Sequence, residues 1–474
     1  MLGDSGTFSN ATASPTDGTL IDGTYTVISV TDLNTYVIQI SSAVTTTEAS
    51  FGGTIIDYDY EINIGKVDTA SAFGLGAGAW GDGTWGTIRT SSLGVTKART
   101  WSLDQWGEDL IANVKGGNIY HWDATNGLTT RAVIITGAPT TVNFILVTPV
   151  NRQLVAFGVG TDPLLIQYSS MNDFTDFNIL STTNTAGELR IDKGSEIISA
   201  IRTRGQIMIF TDVSAHSMFP TNGSLLWGIK ELGNGCGIAS PHAAAEHAGI
   251  VRYMGIDNFY IYDGLIRILP CDVWTKVFKD INLFQKEKFH TSTVIEQDET
   301  WFFYCSSTSD EIDRYAKIHN TSGIWDYGTI ERTAWVDIGQ GGGLTVPYAI
   351  DASGVLYQQE TGVNDGVTTA LNSFIESYDI DIATKEEVGG SMFHIKKLHP
   401  DFKRLSGDID ISLSAKPYPQ SAATTKVYTA VSSTERISTR VRGRQVSIKM
   451  AQNQLNGEWA SGIIIAEILV DGRR

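Results

Sequence analysis

Three groups of residues in this 474-residue chain have types and spacings that suit chemistry. His242, Glu246 and His247 spell H-A-A-A-E-H, one residue longer than the inverted zinc-protease motif H-x-x-E-H. On a helix the added residue turns His242 by about 100° off the shared face, so the stretch reads as a capped turn packed against sheets rather than as a metal site. Asp57, Asp59 and Glu61 stand at spacing two within IDYDYEI, and a strand there puts all three on one face. Such a face is a solvated surface, a calcium site or a wall of negative charge. No Asp-x-Asp-x-Asp-Gly loop follows, which disfavours an EF-hand type of site. Arg436, Arg440, Arg442 and Arg444 share a parity. Without a bulge near Gly443 they line one sheet face, turned to solvent, to DNA or to a neighbouring subunit, where arginine is the favoured cation.

Other motifs are missing. No G-x-S-x-G elbow occurs. Asp257, Asp263 and Asp313 occupy turn positions where aspartate is expected for conformational reasons, although acidic pairs are plentiful enough to leave a glycosidase dyad open. Residues 72–86, AFGLGAGAWGDGTWG, contain neither G-x-G-x-x-G between a strand and a helix nor a P-loop. They read as a loop whose Trp80 and Trp85 dock on a partner or on their own scaffold. Cys236, Cys271 and Cys305 include no C-x-x-C pair, which argues against a thiolate zinc site. They are expected to be buried free thiols of a protein made in a reducing cytoplasm. No catalytic residue, metal or cofactor is assigned, and the chain is expected not to be an enzyme.

The elements that position these residues are strands. Gly is abundant at 48 and Pro scarce at 11; Thr, Ser, Val and Ile dominate, which favours an all-β chain with many tight turns. Residues 249–270, GIVRYMGIDNFYIYDGLIRILP, set the unit: alternating runs separated by Asp-Asn and Asp-Gly turns, the sharpest short hairpin signal. One such meander cannot bury its own apolar face. Similar units begin at 109, 153, 197, 249, 299 and 347, with gaps of 44 to 52 residues, the period of a β-propeller with four strands per blade. The expected organisation is a small β module over 1–60, a propeller of about six blades over 61–366, and a sandwich-like β domain over 367–474. Residues 25–30 and 36–40 are strands of the first module. Short helical turns are expected at 241–248 and 280–288.

Charge is unevenly spread. The chain carries −17 overall, a poor balance for gripping nucleic acid. Residues 391–474 hold 13 Lys and Arg against 7 Asp and Glu, a net of +6, which leaves −23 on the remainder. Such asymmetry points to an acidic partner, here the acidic face of a neighbouring copy. No apolar run reaches the ~20 residues of a membrane helix, so no membrane insertion is expected. Residues 1–4 lack the basic and apolar regions of a signal peptide.

Five long stretches, residues 99–123, 183–212, 255–271, 310–337 and 433–445, together resemble the tail-nozzle proteins of short-tailed bacteriophages, also called packaged-DNA stabilisation or tail tubular proteins. The resemblance covers roughly residues 60–474. It implies a structural virion protein of the tail, assembled in the host cytoplasm: a homohexameric tube of propeller subunits below the portal and the head–tail adaptor. Further partners are tail fibre, needle or tip proteins, and genomic double-stranded DNA passes through without specific binding. It also implies more chain ahead of the first β module, so that module is expected to be incomplete. In such a channel Asp57, Asp59 and Glu61 are candidates for an acidic lining that keeps DNA from sticking, and Arg436, Arg440, Arg442 and Arg444 for subunit contacts. A receptor-binding adhesin, or less so a glycan-degrading propeller enzyme, is the alternative.

Overall fold

The computed structural model describes residues 5–9, 23–32, 35–39, 55–59, 66–70, 97–128, 130–221, 226–337, 346–366, 368–381 and 391–473. The chain divides into two compact units, Met1–Ala334 and Trp335–Arg474, a division that falls ahead of the expected 366/367 boundary. The fold is all-β, built on a β-propeller, with a small N-terminal sheet and a C-terminal sandwich.

Five four-stranded antiparallel meanders make the blades of the first unit. Blade 1 runs Trp101–Trp106, Asp109–Val114, Ile119–Trp122 and Val133–Ile134. Blade 2 runs Val142–Val147, Leu154–Val159, Asp162–Tyr168 and Gly187–Arg190. Blade 3 runs Ile197–Thr203, Gln206–Thr211, Ser214–Pro220 and Trp227–Asn234. Blade 4 runs Ala244–His247, Ile250–Met254, Phe259–Tyr262 and Ile266–Ile268; its last three strands fall within residues 249–270, with both expected turns in place. Blade 5 runs His290–Val294, Glu299–Tyr304, Arg314–His319 and Trp325–Thr329. The sixth repeat lies on a three-stranded sheet, Ala334–Val336, Tyr348–Ile350 and Leu356–Gln358. From blade 1 to blade 5 the first strand of each blade packs on the first strand of the next, so these strands line the axis.

Each meander buries its apolar face on its neighbours. Trp106, Ile111 and Ile119 of blade 1 share a core with Val142, Ile145, Leu154 and Ala156 of blade 2. Val155, Phe157 and Ile166 of blade 2 share one with Ile197, Ile207, Ile209 and Met218 of blade 3. Phe210 of blade 3 contacts Tyr253 of blade 4, and Phe259 of blade 4 contacts Phe302 and Trp325 of blade 5. Fully burying each such side chain contributes about 1.5–3 kcal/mol, which no blade obtains alone. Gly237, between blades 3 and 4, has no room for a side chain: a Cβ there runs into the carbonyl of Asp212.

The helix expected at 241–248 is corrected. Ala244–His247 is the first strand of blade 4, paired residue for residue with Ile250–Tyr253. The helical preference of three alanines is a few tenths of a kcal/mol per residue and yields to completing a buried sheet. Helix does form at Trp274–Asp280, followed by a 3-10 turn over Leu283–Lys288.

The N-terminal sheet has the order Thr35–Ile38, Gly23–Asp32, Ser5–Ser9, Ile55–Asp59. The second unit is a sandwich. One sheet contains Ser373–Glu376, Ile380–Asp381, Gln445–Gln452, Ile409–Lys416 and Thr424–Ala430; the other runs Ile437–Gly443, Ser391–His399, Ile465–Arg473. Phe393, Ile395 and Leu398 from one sheet meet Ile409, Ile411, Leu413, Val446 and Met450 from the other in one core.

Candidate functional site

Two places combine polar groups in a way the surrounding fold dictates: the axis of the propeller and the outer face of the sandwich. At the axis, the first strands run side by side, so residues at their N-terminal ends from different blades converge. Lys97, just before blade 1, pairs with Glu196, just before blade 3, and lies 3.8 Å from Glu287, just before blade 5. Lys115, in the turn between the second and third strands of blade 1, is 3.0 Å from Glu287. Glu287 and Lys115 are buried or nearly so. Burial alone raises the Glu196 carboxyl, but the Lys115 charge and the Lys97 bond outweigh it and hold Glu196 below the ordinary carboxylate range. A glycosidase acid needs the opposite shift. Lys97 shifts the other way, upward: burial opposes, and the Glu196 bond and charge prevail.

A strap completes this closure. Residues 66–70 run between blades 1 and 5. The Thr69 amide donates to Gln285 Oε1 at 2.9 Å and Gln285 Nε2 donates back to the Thr69 carbonyl at 3.2 Å. The Ala98 amide donates to Thr69 Oγ1, the Arg99 amide to the Lys66 carbonyl, and Lys288 reaches Asp68 at 2.5 Å. Ser199 Oγ donates to the Pro241 carbonyl and Ser240 Oγ to the Phe289 carbonyl, both at 2.5 Å, linking blades 3, 4 and 5. At the opposite end Arg202 of blade 3 pairs with Asp104 of blade 1 and donates to the Val147 carbonyl of blade 2 at 2.8 Å.

Between these rims stand two histidines. His242 Nε2 lies 2.8 Å from the Trp101 carbonyl, a contact from blade 4 to blade 1, and its ring lies 6.2 Å from that of Phe144 in blade 2. His242 is exposed to solvent, with protein packed densely around it. That surrounding lowers its pKa, against the pull of the Trp101 carbonyl. His290 stacks on Phe303 with ring centroids 4.4 Å apart, and among the described residues neither ring nitrogen has a partner of good hydrogen-bond geometry. Burial, then the neighbouring His242, push its pKa down to about 3. The axis is thus crossed by side chains, and duplex DNA cannot thread one propeller.

His242 and His247 fall at opposite ends of the first strand of blade 4, and His247 lies 3.3 Å from Asp298 instead of beside His242. Among the described residues no group of three or more potential metal ligands converges. Asp257 accepts from Tyr260 Oη at 3.2 Å, Asp263 pairs with Arg267, and Asp313 accepts from the Ser306 amide at 2.7 Å, so the three turn aspartates are spent on their own turns. The cysteines are free thiols, Cys236 and Cys305 buried and Cys271 half-buried. Asp57 and Asp59 lie on the strand Ile55–Asp59. Glu61 and the loop with Trp80 and Trp85 lie outside the described residues.

The arginine row is only partly a row. Along Ile437–Gly443 burial alternates strictly, which leaves Arg440 and Arg442 on the exposed face. Arg436 is exposed just ahead of that strand. Arg444 leaves the face: the chain bends there, its amide donates to the Lys416 carbonyl at 2.8 Å and its side chain turns to Asp381, 3.5 Å away. His394 pairs across the sheet with Arg442 on one side and Leu469 on the other, so arginine, histidine and leucine share one face. On the same face Lys397 and His399 both contact Glu467, at 3.0 and 3.1 Å.

No protein-family model matches the chain, and no curated protein matches it. Solved structures similar to it include an apocarotenoid oxygenase from Synechocystis, at 11% identity and a TM-score of 0.31, covering 54% of this chain and 68% of that one. BamB from Moraxella catarrhalis matches at 9% identity and 0.32, covering 74% and 81%. An exo-β-1,3-galactanase from Phanerochaete chrysosporium matches at 10% and 0.26, covering 77% and 95%. The expectation that the chain is not an enzyme is corrected by this finding, since glycoside hydrolases and an oxygenase stand among its structural neighbours; identities and scores of this size assign no activity.

Proposed function

We propose that the chain is the repeating subunit of a homohexameric tail nozzle of a short-tailed bacteriophage, which continues the DNA channel below the portal and adaptor, retains the packaged genome and conducts it at ejection. The observation that carries this reading is the segregation of charge: Arg440 and Arg442 project from the outer face of the sandwich in a chain whose remainder is strongly acidic. A ring is built from head-to-tail contacts between two different faces of each subunit, and opposite charges on those faces set the register. Because side chains cross the propeller axis, a channel wide enough for DNA would lie among subunits rather than within one. An acidic wall suits that channel. Lysine and arginine along it would release counterions and grip the duplex, whereas carboxylates such as Asp57, Asp59 and Glu61 repel it wherever the gap is narrower than about 8–10 Å.

The test is to measure the mass of the assembled protein and image the particle. Six copies around a channel are expected. Arg440→Glu with Arg442→Glu is expected to shift the population to smaller species while the thermal melt of the subunit stays unchanged. A wild-type chain that remains a monomer at all concentrations would refute the reading.

A further inference from the structure

The strand Ile465–Arg473 is an edge: it pairs with Ser391–His399 on one side, and no described strand pairs with the other. Sheet edges in proteins are ordinarily guarded by shortness, lysine, proline or a covering loop. This one is nine residues long and contains no lysine or proline. It exposes Ile465 at 60%, Ile468 at 36%, Leu469 at 48% and Val470 at 52%. From Ile463 to Val470 its one charged residue is Glu467; Lys397 pairs with that carboxylate and His399 lies 3.1 Å from it. The adjoining face keeps Arg440 and Arg442 exposed. The surface is therefore apolar along its rim and cationic beside it.

We infer that this edge receives a strand from a second copy of the chain, extending the sheet across the subunit boundary. Strand addition takes its affinity from main-chain hydrogen bonds and its selectivity from alternate side chains. The occupant is a second copy on grounds of charge: residues outside 391–474 carry −23 against +6 within them, so an acidic segment of a neighbour is attracted to the arginine-bearing face while like faces repel. An incoming strand and a receiving edge are different surfaces, as a closed ring of copies requires. The inference rests on the ring reading above and names the contact that would make it.

The experiment follows the full-length chain by native mass measurement and by amide hydrogen exchange, with and without Ile465→Lys and Leu469→Lys together. Both side chains are exposed, so the melt of the subunit is expected to be unchanged. The expected result is a wild-type ring, at least tenfold slower exchange over 465–473 in the ring than in subunits separated by high salt, and loss of the ring in the double variant. A ring of the same size in the variant, or no change in exchange over 465–473, overturns the strand contact and leaves the ring reading standing. Loss of binding to another tail protein with the ring intact overturns it equally, because the occupant would then be that protein. A wild-type monomer overturns both.

Discussion

Histidine 290 is the residue whose burial has the clearest consequence. In the unfolded chain its imidazole titrates near the ordinary value of about 6.5; in the folded chain burial, then His242, lower it to about 3. The depressed folded value means that its contribution to stability is complete above about pH 6.5 and falls as the pH drops toward 3, because the unfolded chain then binds the proton the folded one refuses. The slope for one such group is about 1.4 kcal/mol per pH unit. Urea midpoints are therefore expected to fall between pH 7 and pH 5 by an amount corresponding to about 2 kcal/mol from this residue. His290→Phe keeps the ring contact with Phe303 and is expected to flatten that part of the profile. An unchanged profile in the variant would assign the slope elsewhere. Nothing around His290 in the sequence announces this role, because His242 is brought beside it only when blades 4 and 5 meet.

Among the elements, the strap over residues 66–70 bridges the segments that lead into blades 1 and 5. It contributes no apolar strand of its own; Thr69 is held by exchanging two hydrogen bonds with the side chain of Gln285, which is itself buried. Gln285→Leu removes both partners and leaves the Thr69 amide and carbonyl unpaired in a dry place, which costs about 1–3 kcal/mol. The expected outcome is a lower melting temperature together with faster hydrogen exchange at Thr69 and Ala98, while the amides of blade 3 keep their protection. Uniform loss of protection across all blades would mean that the strap is not a local latch. The individual blades were legible, since Asp-Gly and Asp-Asn turns between aromatic runs specify a hairpin whatever surrounds it. The strand at Ala244–His247 was not, because its alanines favour a helix locally and only the neighbouring strand makes the extended form the better one.

For the whole molecule, the proposed ring carries its own prediction. If opposite charges on two faces fix the ring, salt should weaken it: the screening length falls from about 10 Å at 0.1 M to about 3 Å at 1 M. Sedimentation velocity is expected to show rings at 0.1 M and a shift toward single subunits at 1 M, with near-complete dissociation when Arg440→Glu and Arg442→Glu are combined with high salt. Rings indifferent to salt would place the association in apolar contacts instead.

By itself the sequence determined the all-β class, the meander period and the uneven charge, because each is written in local spacing or in composition, which folding does not alter. The tertiary structure alone decided which side chains meet. Lys115 and Glu287 are 172 residues apart and touch only through ring closure. Arg444 departs from a row that parity had promised because a bend after Gly443 breaks the alternation. Contacts of that kind depend on how sheets close on one another, and a one-residue change of register moves every side chain to the opposite face.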